Sequence, residues 1–286
     1  MAPKVPAANK GAASLILFYY GKESKYESLG QDTLQLKKAM EGYQYKVLLK
    51  HNSLPSWADL SEADEKLADI KELPTKANLF KYLIQLTADG YYTDLFVFSH
   101  GFSQKFMVSN GSYGSEGFVT TTDITNELKP DKTGFTKVPI RIVWGTNCYG
   151  QTLGATWRSI GAKTTAGARF VQFYPHAFGN FINDWNKGNV SFDSAVGNSD
   201  TAAVRTAAQL YISTVHAPST NKEWGKCPFG KTVLGDDPCA KDYFLSMWID
   251  NGEWQTNMSG KENMNHSSYM SREGEKSITK NTKPTW

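Results

Sequence analysis

Leu95–Gly101 reads LFVFSHG, and Ile140–Gly150 reads IRIVWGTNCYG. Each is an apolar run of strand length that stops at a polar, glycine-bounded turn, the pattern of a strand buried on both faces. His100 and Cys148 therefore leave the same kind of element at the same kind of point, the end of a buried strand. In open α/β sheets that is where ligands bind, because the strand ends and the turns after them form a crevice.

Working outward, the chain alternates two periods. Ala12 to Tyr20 reads as a buried strand ended by Gly21, Tyr26 to Met40 as a helix ending near Gly42, and Tyr45 to Leu49 as a second strand. A polar segment with a short helix at Ser61 to Leu67 leads to Pro74, which suits a first helical turn, and to an apolar-faced helix at Asn78 to Ala88 closed by Gly90. The strand Asp94 to Ser99 follows. This β-α-β-α-β order predicts an α/β fold whose mostly parallel sheet carries helices on both faces.

Gln104 to Thr122 breaks the alternation with an Asn110-Gly111 turn between β-prone flanks, and predicts a small added hairpin. Beyond it come a short helix at Thr122 to Leu128, a strand at Pro139 to Trp144, a helix at Gln151 to Ile160, and a fifth strand at Arg169 to Phe173. Helices at Phe178 to Lys187 and Asp200 to Thr214 complete the pattern. After Val215 it weakens, with one strand or short helix at Tyr243 to Ile249, and the Asn/Ser/Lys-rich tail from Gly260 reads as a surface wrap or a disordered end. The expected organisation is an α/β catalytic domain over 1–215 and an irregular annex over 216–286 packed on it.

Composition bounds the function. With 40% hydrophobic, 13% aromatic and 21% charged residues in a chain of 286, there is material for a sizeable core and none of the signature of disorder. The formal charge of +3 is too small to mark a nucleic-acid footprint or a membrane-binding patch. No apolar run approaches the ~20 residues of a membrane span, so the expectation is a soluble chain. The opening MAPKVPAANKGAAS lacks an apolar signal core, which leaves cytoplasmic residence and secretion after loss of a signal peptide both open. Oligomeric state is not legible.

The chemistry at the two strand ends is that of acyl transfer. A thiol needs only partial ionisation to be a strong nucleophile, and a neighbouring imidazole can take its proton and return it to a leaving amine. Gly101, with the backbone amides around Cys148, offers donors for an oxyanion. The plainer reading is that Cys148 is one more buried small side chain and His100 a satisfied shell residue. The spacing of 48 residues, with a glycine directly after the His and another two after the Cys, favours the chemical reading.

At these residues the chain resembles the caspase-like cysteine peptidase clan of caspases, metacaspases, legumain, clostripain and gingipains. The resemblance rests on a hydrophobic strand followed by His-Gly, LFVFSHG, and a second followed by Cys and a nearby Gly, IRIVWGTNCYG. It covers about residues 12 to 215, and TNCYG stands where caspases carry their QACxG signature. It implies a cysteine endopeptidase hydrolysing peptide bonds in peptide or protein substrates, with Cys148 as nucleophile and His100 as general base and acid. The amides of Gly101 and Cys148 would hold the oxyanion, and no cofactor is required. Side-chain selection would involve Gly21 to Lys25 and Phe173 to Phe178, where Glu23, Lys22, Lys25 and His176 identify no preference. Asp184 and Asp193 are the nearest later carboxylates, and a solvent-facing role suits them better.

Two other readings use the same chain. Ser99-His100-Gly101-Phe102 and Thr146–Gly150 also resemble the oxyanion loop and nucleophile elbow of α/β-hydrolases, which would make Cys148 an esterase or dienelactone-hydrolase-like nucleophile served by a downstream Asp and His216 or His266. Gly145 is one position off the elbow glycine. A non-catalytic binding module would instead use the aromatics Trp157, Tyr174, Trp185, Trp224, Trp248 and Trp254, although such residues more often fill cores. Cys227 and Cys239, 12 apart, read as a disulfide or as buried thiols rather than a metal site. Asp193, Asp200, Asp236 and Asp237 leave calcium an option, without forming an EF-hand loop.

Overall fold

A computed structural model describes residues 2–20, 31–51, 68–112, 114–145, 147–168, 176–199 and 270–286, with backbone alone at 31–35 and 176–177. The first strand, β1 (Gly11–Tyr19), shows why these runs build a two-faced sheet. Successive side chains of a strand point to opposite faces. Ala13, Leu15, Leu17 and Tyr19 accordingly enter one apolar cluster and Ile16 and Phe18 the other. A strand with both faces covered is mostly apolar, and the buried exception on β1, Ser14, donates its hydroxyl to Ala39 O at 3.0 Å.

The chain proceeds through α1 (Gln31–Met40), β2 (Tyr45–Leu49), β3 (Ile70–Glu72), α2 (Lys76–Ala88) and β4 (Tyr91–Ser99). It continues with β5 (Gly101–Phe102), β6 (Lys105–Ser109), β7 (Glu116–Thr120), α3 (Thr121–Glu127), α4 (Pro130–Thr133) and β8 (Ile140–Gly145). A single 3-10 turn over Gly150–Leu153 leads into α5 (Gly154–Ile160), β9 (Thr164–Ala168), α6 (His176–Asn186), a helical segment over 192–199 and β10 (Met270–Gly274). The local signals are clear: the Thr75 hydroxyl caps α2 at the Asn78 amide, and Thr120 with Asp123 forms a capping box on α3.

The main sheet has seven strands in the order β10-β9-β8-β4-β1-β2-β3. All neighbours pair in parallel except β10, which runs antiparallel to β9. Strand order reverses at β1: the chain moves outward to β2 and β3 on one side, then returns to β4 and goes on to β8 and β9 on the other. The switch point between β1 and β4 opens a crevice at their C-terminal ends. One face is covered by α2, α3, α5 and a small antiparallel sheet, β5-β6-β7, the other by α1, α6 and segment 192–199.

The expected α/β architecture with a mostly parallel sheet is present, with local corrections. The added element is a three-stranded sheet, because Gly101–Phe102 pairs with Lys105–Phe106 in front of the expected hairpin. A sixth parallel strand lies at Thr164–Ala168, where small residues pack closely against the loop above them, and the strand expected at Arg169 to Phe173 lies outside the described residues. The tail contributes β10, whose Met270 and Ser271 are buried, and is a sheet edge over that stretch rather than a surface wrap or disordered end. The segments expected at Ser61 to Leu67, Asp200 to Thr214 and Tyr243 to Ile249 lie outside the described residues. No helix among the described residues is long and apolar enough to cross a membrane.

At the lower half of the sheet, Asp94 and Arg141 are both fully buried and face each other across β4 and β8. Arg141 donates from Nε and Nη2 to the two Asp94 oxygens at 2.8 and 2.7 Å, a bidentate pair. Tyr43 donates to the same carboxylate at 2.5 Å and accepts from Trp185 Nε1 at 3.1 Å. Burial, reinforced by the Asp94 charge, holds the Tyr43 phenol well above its ordinary pKa. Arg141 Nη1 reaches on to the carbonyls of Lys280 and Thr282, so a charge pair inside the sheet also anchors the last segment of the chain.

Candidate functional site

β4 and β8 are adjacent and parallel, with Val97 opposite Gly145. Three residues further along each chain stand His100 and Cys148, beyond the C-terminal ends of these strands, with the Cys148 backbone against the turn after His100. Both are partly exposed, whereas the strand residues below them are buried. On the other side of β4, Tyr19 pairs with Ser99, which brings the next residue, Tyr20, beside His100. The Tyr20 and His100 rings meet edge to face at 5.5 Å, and Phe18 backs Tyr20 at 5.3 Å. The backbone under the imidazole is pinned: His100 O accepts from Met107 N at 2.9 Å and from Ser99 Oγ at 2.9 Å.

Four glycines let the Cys148 loop lie flat on this edge. A Cβ on Gly101 would stand 2.3 Å from Cys148 O and 2.8 Å from Cys148 N, so the turn after His100 touches the Cys148 backbone only because that side chain is missing. Gly145 and Gly150 bracket the buried Asn147 side chain, whose Oδ1 would be 2.4 Å from a Gly145 Cβ. Asn147 Nδ2 has no hydrogen-bond partner among the described residues. On β9, Gly167 lies under the loop, where a Cβ would be 2.4 Å from the Gly150 carbonyl carbon. The chain turns sharply here, with Tyr149 in the left-handed region at φ 55°. The α/β-hydrolase elbow puts its strain on the nucleophile's turn; here the left-handed residue is the one after Cys148.

The edge has a second histidine. His51, just beyond β2, is buried against the Tyr19 ring at 5.7 Å, and its Nε2 is 2.8 Å from Ser109 Oγ on β6. Burial lowers its pKa, which keeps the ring neutral and suits a structural tie between the two sheets. Phe102 and Tyr149, which follow the His-Gly and the Cys, are 46% and 36% exposed, and Phe102 packs edge to face on Phe118 at 5.7 Å with Lys105 Nζ over its ring at 5.2 Å. Sequence reading gave no role to Tyr20 or His51. The available signal was register, since strands ending at Tyr20 and His100 in neighbouring positions must set those residues side by side.

Of the other candidates, Trp157 and Trp185 fill the core rather than a binding face. Asp184 is held by Lys187 at 2.6 Å and Asn198 at 2.8 Å, which lower its pKa, and Asp193 lies 3.8 Å from Arg272. No group of three or more His, Cys, Asp or Glu suited to a metal ion occurs among the described residues. Lys22, Glu23, Lys25, Phe173, Tyr174, Asp200, His216, Trp224, Cys227, Asp236, Asp237, Cys239, Trp248, Trp254 and His266 lie outside the described residues, as does the side chain of His176.

Solved structures that this chain resembles include the following. One is a secreted C11 cysteine protease from Bacteroides thetaiotaomicron in complex with an irreversible peptide inhibitor, at 10% identity and a TM-score of 0.43, covering 68% of this chain and 59% of that one. Another is the Drosophila initiator caspase Dronc, at 10% identity and a TM-score of 0.34, covering 68% of this chain and 73% of that one. The chain thus spans 59% of the length of the first. No family model and no curated protein matches the sequence.

Proposed function

We propose that this chain is a cysteine peptidase acting through a Cys148–His100 dyad. The observation that supports the reading is the pairing of β4 with β8, whose last pair, Val97 with Gly145, stands three residues before His100 and Cys148, together with Gly101, which lets the Cys148 backbone close against the turn after the histidine. In the reaction, His100 takes the thiol proton as Cys148 Sγ attacks the scissile carbonyl carbon. The negative oxygen of the tetrahedral intermediate is held by the amides of Gly101 and Cys148. As the C–N bond breaks, His100 gives its proton to the leaving amine. Water then attacks the thioester with His100 again as base, releasing the acid and regenerating the thiol. Phe102, 46% exposed, suits an extended peptide with an apolar side chain near the scissile bond.

The test is site-mapped alkylation with limiting iodoacetamide at pH 6.5 on the native protein and on His100→Ala, followed by a peptide-library cleavage screen. A free thiol, with its pKa near 8.5, is only about one per cent ionised at that pH. Selective labelling of Cys148 that collapses in His100→Ala is the expected result. Equal labelling of both proteins, or none, would sink the dyad and favour the non-catalytic binding module.

A further inference from the structure

Among the described residues, only Ala8, Gln104 and Tyr149 combine a side chain with a left-handed backbone. The last two lie one on each loop of the site. Gln104, at φ 62°, closes the β5–β6 turn four residues after His100, and Tyr149, at φ 55°, directly follows Cys148. Neither is a Gly or Asn, so each conformation costs energy and persists only where its surroundings enforce it. The enforcing group is the same for both. Thr152 Oγ1 accepts from Gln104 N–H at 2.7 Å and donates to Tyr149 O at 2.8 Å. Thr152 N–H donates to that same carbonyl at 3.0 Å. One hydroxyl, with one donor and acceptor capacity to spare, thus uses both functions to join the turn after the histidine to the turn after the cysteine.

From this we infer that Thr152 is the positioning residue of the dyad: its hydroxyl ties the His100 turn to the Cys148 turn and so sets the separation of imidazole and thiol. The inference rests on the proposed Cys148–His100 chemistry. Thr152 touches neither reacting group in this account and acts through the two backbones. Valine matches threonine in shape but neither donates nor accepts, whereas serine keeps the hydroxyl. In Thr152→Val the two turns lose this link and are left with the Gly101–Cys148 backbone contact. A displacement near 1 Å between reacting groups is worth about a hundredfold in rate, so a partial release is expected to slow Cys148 alkylation at pH 6.5 by about ten- to a hundredfold.

The test is the pH profile of iodoacetamide alkylation at Cys148 in wild type, Thr152→Val, Thr152→Ser and His100→Ala, alongside thermal unfolding of each. The expected result is that Thr152→Val loses the low-pH limb of the profile and moves toward a free-thiol pKa near 8.5, while Thr152→Ser keeps it and both unfold cooperatively. A merely structural threonine would shift the melting temperature without moving the profile. If His100→Ala loses the limb and Thr152→Val keeps it, the tether is overturned and the dyad stands. If His100→Ala also keeps it, the dyad reading falls and the tether with it. Should Thr152→Val not fold, hydrogen exchange on the wild-type protein decides. The tether requires a protected Gln104 amide, and exchange at the rate of an unstructured peptide overturns it.

Discussion

Gly167→Ala perturbs the site from beneath without touching a reacting residue. A Cβ at that position would sit 2.4 Å from the Gly150 carbonyl carbon, 2.6 Å from Gln151 N and 2.8 Å from Gly150 O, where ordinary contact begins at 3.4 Å. Relief therefore requires a movement of 3.4 − 2.4 = 1.0 Å. β9 cannot supply it, because Gly167 pairs with Gly145 on one side and Ser271 on the other. The loop that carries Cys148 must rise instead. A 1 Å misplacement costs about a hundredfold in rate, and overpacking of this kind costs about 1–3 kcal/mol in stability. The assay is the second-order rate constant for iodoacetamide alkylation of Cys148 at pH 6.5, read by peptide mass spectrometry, with chemical denaturation run on the same samples. Gly117→Ala is the control, since its Cβ would meet Val108 Cγ2 at an ordinary 3.6 Å. A cooperatively folded Gly167→Ala protein that labels within about threefold of wild type would refute the reasoning that this contact sets the position of the thiol.

Two predictions concern the scaffold. Asp94→Asn leaves Arg141 buried without its counter-charge and is expected to destabilise the fold by about 3–5 kcal/mol, seen as a lower urea midpoint with an unchanged slope; a midpoint equal to wild type would show the pair to be dispensable. Lys280 donates to Glu41 O at 2.6 Å and lies 4.6 Å from the centre of the Tyr43 ring, and burial brings its pKa from 10.5 down to about 8. A depressed lysine binds fewer protons folded than unfolded, so its unfavourable contribution is complete below pH 8 and is relieved as pH rises from 8 toward 10.5. The stability of wild type relative to Lys280→Met should accordingly increase across that window, and a difference independent of pH would exclude the shift.

What could be read from the sequence follows physical range. β1, β4 and β8 were legible because burial on both faces favours apolar runs such as Leu15–Phe18 and Leu95–Phe98, and the ends of two of those strands named His100 and Cys148. β9 was missed because TTAGA carries no large apolar side chain. Its small residues are selected by what lies above them, the Cys148 loop resting on Gly167, and that demand comes from a segment distant in sequence. Similarly, β10 reads MSREG, and only its pairing with β9 makes it a strand. Local pattern reports what an element buries along itself; it is silent where another part of the chain imposes the constraint.

The same distinction explains why the proposed dyad was legible and the supports proposed for it were not. A nucleophile and a base advertise themselves by residue type, whereas Thr152, Gly167 and Tyr20 are ordinary residues whose roles arise from pairing. Tyr20 reaches His100 through the β1–β4 register, Gly167 on β9 lies against Gly150 and Gln151 of the loop after Cys148, and Thr152 reaches both turns through one hydroxyl. Each support meets the site from a different direction: one from the neighbouring strand, one from below and one across the top. A thiol and an imidazole on two separate turns need all three constraints, because two parallel strands fix the height of their ends but leave the turns beyond them free to diverge. Under the proposed mechanism the sheet supplies the coarse placement, and the glycine floor and the threonine tether supply the last ångström, the distance over which proton transfer between the two groups would succeed or fail.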